Sequence, residues 1–289
     1  MAMEALLENL RYEAAGSETV TDQLPDMFDL PSEEVGEPGL PDEFHIIQAI
    51  LLRLTFKVSV PSYTAIDMNL YYDKDHTERY KRPDWFGVVG VPPLYQGEMR
   101  SSYVVWKEKV RPYIIVEFLS LGTEDEDLGR KPAKPDRPPN KWTVYQDILQ
   151  VPYYMVYDRR TEKLRAFKWE GRGYVRMATK DDRVSLPEIG LELRTWQGSY
   201  DGLNQKWLRF FHPDGTMIST PSEIAELERA EKERERALKE RYLAEKEQER
   251  AEKERYLALL KKAGIDPNSK GKILVSRGLT TVGPTLYEG

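Results

Sequence analysis

The chain has 289 residues, 40% of them apolar and 32% charged, with a formal net charge of −6. That length allows one or two globular domains, and 17 Tyr, 8 Phe and 6 Trp exclude a wholly disordered chain. Cysteine is absent, which excludes a disulfide scaffold, a zinc–thiolate site, an iron–sulfur cluster and a thiol nucleophile.

Residues 1–40 hold ten acids and a single base, Arg11, for a net charge of −9. With PDMFDLPSEEVGEPGLP inside it, the segment reads as a flexible acidic arm. Its start, MAMEALLENLRYEAAGS, lacks the basic-then-apolar layout of a secretory signal. No run of about 18 apolar residues occurs, so no membrane span is expected and the chain reads as cytoplasmic. Residues 41–221 carry +2 once the arm is set aside, which permits contact with phosphate without requiring it. This middle segment reads as one α/β domain. It opens on DEFHIIQAILLRLTF (42–56), an amphipathic helix with Asp42 as N-cap and Phe44, Ile47, Ile50, Leu51 and Leu54 at helical spacing. SYTAIDMNLYYD (62–73), PDWFGVVG (83–90), SSYVVWKE (101–108) and RPYIIVEFLS (111–120) read as strands, the last two as neighbours and the last as a buried central strand. A loop of about twenty residues follows, of a length that is usually functional. KWTVYQDILQ (141–150) reads as a helix, PYYMVYD (152–158) as a strand, LRAFKWEG with GYVRMA as a hairpin, and 186–215 as further short strands.

Residues 222–262 differ in kind. Alanine recurs every seven residues at 230, 237, 244, 251 and 258, within near-copies of AEKERER. Glu and Lys/Arg pair repeatedly at i,i+3 and i,i+4, which favours a long helix. A coiled coil needs two apolar positions per heptad. Half of these heptads offer only alanine, so the segment reads as a weak coiled coil joining copies of the chain, or else as a free helix or a helix folded back on the domain. Residues 263–289 read as a disordered tail.

The residues open to chemistry are few. Three histidines, His45, His76 and His212, make a three-His metal site unexpected, and His45 beside Phe44 reads as structural. Glu117 is anomalous. Alternation puts it on a face with Ile115 and Leu119, where a carboxylate is costly unless paired, metal-bound or hydrogen-bonded. Lys141 opens a helix with Tyr145 four residues on, on the same face. TEDED (123–127) reads as a solvated acidic loop, with Asp127 a candidate to stand behind a metal site. No P-loop, GxGxxG, GxSxG or HExxH is present.

PD at 83–84, VEFLS at 116–120, K-x-x-x-Y at 141–145 and PYYMVYD at 152–158, in that order, resemble a bacterial family of restriction endonuclease domains in the PD-(D/E)XK nuclease superfamily. The resemblance spans about residues 43–215. It implies a restriction-endonuclease-like mixed sheet flanked by helices, with an α-β-β-β-α-β core, and a DNA endonuclease that uses Mg²⁺ or Mn²⁺. Asp84 and Glu117 would then hold the metal. The superfamily's lysine lies two residues after the strand acid, where this chain has Leu119. The resemblance points instead to Lys141, with Lys131 as a second candidate, Tyr145 in support and Glu43 as an early-helix carboxylate. The missing Glu-x-Lys leaves a second reading: an inert nuclease fold whose charged helix joins partners.

Overall fold

The computed structural model describes residues 42–120, 124–130, 138–179 and 181–264. The acidic arm at 1–40 and almost all of the tail at 263–289 lie outside the described residues. The chain divides into two compact units between Ser222 and Glu223.

The first unit is a mixed α/β domain built on a six-stranded sheet. Helix α1 (Glu43–Thr55) is capped by Asp42, whose side chain accepts from the His45 amide. Strands β1 (Ser62–Ile66), β4 (Trp85–Val89) and β6 (Ile114–Phe118) form an antiparallel meander, and β7 (Tyr153–Asp158) then pairs parallel to β6. Strands β8 (Lys163–Trp169) and β9 (Tyr174–Arg176) complete the order β1-β4-β6-β7-β8-β9. A parallel β6–β7 pair requires a crossover. That crossover carries α3 (Glu124–Asp127) and α4 (Lys141–Thr143), the latter continuing as a π-turn over Val144–Ile148. The core order is thus α-β-β-β-α-β, the restriction-endonuclease-like arrangement that the resemblance implied.

Every residue of β6 is buried, and its two faces feed separate cores. Ile114, Val116 and Phe118 pack with Phe44, Leu51 and Leu52 of α1. Their core includes Trp207, Leu208 and Phe210 of β12 (Leu203–Phe211), in a second sheet with β11 (Leu191–Tyr200) and β10 (Arg183–Leu186). Buried Gln48 ties the two layers, donating to the Leu208 carbonyl at 2.7 Å and accepting from its amide at 2.8 Å. Ile115 on the other face packs with Val144, Tyr145, Tyr154 and Val156.

Several expectations need correction. Only Tyr103–Val104 (β5) of the 101–108 segment is a strand. It is followed by a helical turn, α2 (Val105–Glu108), which ends on Lys109 in the left-handed region (φ 58°). β5 is not a neighbour of β6. It pairs parallel to β2 (Leu70–Tyr71) in a small sheet with β3 (Tyr80–Lys81), while Tyr113 begins the pairing to β4 by donating to the Gly87 carbonyl. The 62–73 segment breaks at Asp67 (φ 45°) into β1 and β2. The short strands expected at 186–215 include a long hairpin whose turn, Asp201–Gly202, has positive φ at both positions, the geometry that Asp-Gly favours.

Helix α5 (Pro221–Lys262), which supplies the second unit from Glu223 on, is uninterrupted, ~63 Å long at 1.5 Å per residue, with no buried residue. Tyr242, Leu243 and Tyr256 are exposed, and Arg250 pairs with Glu254 at i,i+4. No helix among the described residues is long and apolar enough to cross a membrane.

Candidate active site

The carboxylate that alternation left unexplained is fully buried, in a polar cluster whose Asp84 and Lys141 are partly exposed. Glu117 Oε1 accepts from the Tyr145 hydroxyl at 2.9 Å. Its Oε2 accepts from Lys141 Nζ at 3.0 Å and from the Asp84 amide at 3.2 Å. Asp84 Oδ2 in turn accepts from the Phe118 amide at 2.6 Å. Asp84 precedes β4 and Glu117 lies on β6, so each strand's backbone holds the other strand's acid. Asp127, also buried, brings a third carboxylate, with Oδ1 3.2 Å from Lys141 Nζ.

The local sequence explains how Lys141 arrives. Asn140 caps α4 by accepting from the Thr143 amide at 2.8 Å. The following π-turn places Tyr145 beneath the sheet; such turns insert an extra residue and recur at functional sites. Gly129 (φ 65°) lets the loop after α3 pass over Trp142, where a Cβ would come within 2.6 Å of the indole Cγ.

The electrostatics are those of a crowded anionic site. Burial drives the Glu117 carboxyl well above its ordinary value; Lys141 opposes this, while Asp84 and Asp127 reinforce it. Burial likewise raises Asp84 against the pull of Lys141 and His45. For Lys141, burial favours the neutral amine, but Asp127, Glu117 and Asp84 together outweigh it and hold the ammonium well above its usual value.

Of the residues singled out in the sequence, Asp84, Glu117, Lys141, Tyr145 and Asp127 come together here. Asp127 is not on a solvated loop but in the turn of α3, whose carbonyl accepts from the Tyr154 hydroxyl at 2.8 Å. Leu119 packs in the second core. Glu43 is exposed on the first turn of α1 and makes no part of the cluster, because that turn buries Phe44 and His45 instead. Lys131 lies outside the described residues.

The group that α1 does supply is His45. Its Nδ1 lies 2.8 Å from Asp42 Oδ1 and its Nε2 3.0 Å from the Phe118 carbonyl, with Asp84 Oδ2 at 3.9 Å. Both close partners can only accept, an arrangement that favours the doubly protonated ring. Burial opposes that charge, but Asp42 and Asp84 raise the imidazole above its ordinary value. The Asp42-x-x-His45 spacing on one helical turn was the available signal for this pair.

All donors in the cluster are hard oxygens or nitrogens. Among the described residues no group of three or more His, Cys, Asp or Glu side chains is arranged to hold a metal ion. Asp84 and Glu117 offer two adjacent carboxylates. That set fits Mg²⁺, which binds through one or two carboxylates and takes its remaining ligands from water and substrate oxygens.

A family model, Uma2, described as "Putative restriction endonuclease", matches residues 21–196, more than half of the chain. The chain belongs to this family. As an Uma2 protein it falls in a nuclease class, in keeping with the core topology above. No curated protein matches it. Among solved structures it is similar to "a putative nuclease belonging to DUF820 from Anabaena variabilis ATCC 29413", at 14% identity over 58% of this chain and 88% of that one, with a TM-score of 0.34. At that TM-score the likeness carries no weight here.

Proposed function

We propose that the chain is a divalent-metal-dependent endonuclease that hydrolyses phosphodiester bonds in DNA. The observation that carries this reading is the meeting of Asp84, Glu117 and the Lys141 ammonium in one cluster. Asp84 and Glu117 would hold a Mg²⁺ or Mn²⁺ ion. A bound ion would supply Lewis-acid chemistry, polarising the phosphodiester and lowering the pKa of a water so that its hydroxide could attack. The Lys141 ammonium, held 3.0 Å from Glu117, neutralises charge that develops on the phosphate in the transition state. Asp127 steadies that ammonium from its other side. Tyr145 fixes the Glu117 carboxylate in one rotamer by its hydrogen bond. His45 holds the Phe118 carbonyl, while the Phe118 amide, on the preceding peptide, donates to Asp84.

Purified protein should nick supercoiled plasmid in Mg²⁺ or Mn²⁺. Glu117→Gln should abolish nicking while the protein still unfolds in one cooperative transition, at a melting temperature lower than wild type by roughly 2–4 °C or more. Nicking that survives Glu117→Gln refutes the role of this site. The inert reading draws on a different observation: Glu117 is closed to solvent and both its oxygens already have donors. A protein that takes up no Mn²⁺ by calorimetry and leaves DNA intact would be the interaction protein.

A further inference from the structure

The sheet register carries a further cation towards the carboxylate cluster. Glu117 on β6 stands opposite Val156 on β7, and Val156 stands opposite Arg165 on β8. Residues paired across strands share a face. Arg165 therefore rises from the Glu117 face, two strand spacings or ~10 Å along the sheet. Its guanidinium is only half committed. Nη2 lies 3.6 Å from Glu124 Oε1, too far for a hydrogen bond. Nη1 is shut from solvent and has no hydrogen-bond partner among the described residues. Leaving a buried donor unmatched is costly, and the guanidinium fork is shaped for phosphate oxygens.

The acids of α3 lie over this and two other cations. Glu124 faces Arg165, Glu126 Oε1 lies 2.9 Å from Lys81 Nζ, and Asp127 lies 3.2 Å from Lys141. Asp127 is fixed by burial and by Tyr154. Glu124 is 41% exposed and has a closer partner in Arg130, at 3.1 Å, so it can release Arg165 without losing its own pairing.

We propose that Arg165 binds a phosphate of the substrate strand flanking the one that is cut, and that this phosphate takes the place of the Glu124 carboxylate. The proposal rests on the nuclease reading above and adds a substrate contact to it.

The test is fluorescence anisotropy of a labelled DNA duplex with the full chain, in EDTA, over a series of salt concentrations. Arg165→Ala should weaken binding about tenfold and lower the slope of log K against log salt by about one. Arg165→Lys should keep most of the slope with intermediate affinity, and Glu124→Gln should bind more tightly than wild type. Arg172→Ala removes the same charge from an exposed turn and should leave the slope unchanged. An Arg165→Ala slope equal to wild type, or an equal loss in Arg172→Ala, overturns the proposal. If Arg165→Ala does not fold, Glu124→Gln binding no tighter than wild type, or Arg165→Lys binding as well as wild type, overturns it. Wild type that nicks DNA beside an unaffected Arg165→Ala sinks this inference alone. Wild type that neither binds nor nicks sinks the nuclease reading as well.

Discussion

Tyr145→Phe removes a single oxygen from the centre of the site. The hydroxyl donates to Glu117 Oε1 at 2.9 Å, and both side chains are fully buried, so no water can take its place without repacking. A hydrogen bond to a charged group contributes roughly 1.5–3 kcal/mol. The substitution should therefore cost ~2 kcal/mol, or roughly 4–8 °C in melting temperature for a domain of this size. Glu117→Gln offers the same hydroxyl a neutral acceptor, and the bond is then worth ~1 kcal/mol. A double-mutant cycle on Tyr145→Phe and Glu117→Gln should return a coupling of ~1 kcal/mol. Burial keeps the Tyr145 hydroxyl protonated, with Glu117 adding to the effect, so the donor does not change with pH. The acceptor does. Because burial holds the Glu117 carboxyl well above its usual value, the coupling should grow as pH rises and the carboxyl ionises. Urea denaturation of the four proteins at several pH values, followed by tryptophan fluorescence, measures this directly. A Tyr145→Phe protein as stable as wild type, or a coupling below ~0.3 kcal/mol at every pH, would refute the reasoning.

Two further outcomes follow from the same geometry. Burial works against ionised Asp42, but its hydrogen bonds to His45 and the charge of that ring win, lowering its pKa from 3.8 to about 2. The stabilisation is therefore present in full above pH 3.8 and lost as pH falls towards 2; Asp42→Ala should cost ~1 kcal/mol for the lost cap and remove that acid-limb slope from urea titrations. Gly129→Ala combines a left-handed residue with a Cβ 2.6 Å from Trp142 Cγ. It should cost ~2–4 kcal/mol and slow nicking, since Trp142 follows Lys141 in the same turn; unchanged stability in a urea melt would count against the contact.

Local pattern was enough for the elements whose environment is local or uniform. The amphipathic spacing from Phe44 to Leu54 marked α1, and a run of apolar residues marked β6 as buried on both faces. The Glu and Lys/Arg pairs of 222–262 specify a helix because they act within single turns. The same reasoning failed at 101–108, where β-forming residues hold only two strand positions. The outcome there was set by pairing to β2, over thirty residues earlier, not by propensity.

Glu117 shows the division most clearly. The sequence alone marked this carboxylate as one that would need a partner if buried, because its neighbours on both faces are apolar and an unpaired buried charge is costly. Which groups satisfy it was decided only in three dimensions. The partners are an amide just before β4, an ammonium and a hydroxyl from the crossover, and behind them a histidine from α1 and an aspartate from α3. These lie 24 or more residues from Glu117 except Asp127, and no periodicity links them. They meet because β6 pairs with β4 on one side and parallel β7 on the other, an order of strands set by packing both faces of the sheet at once.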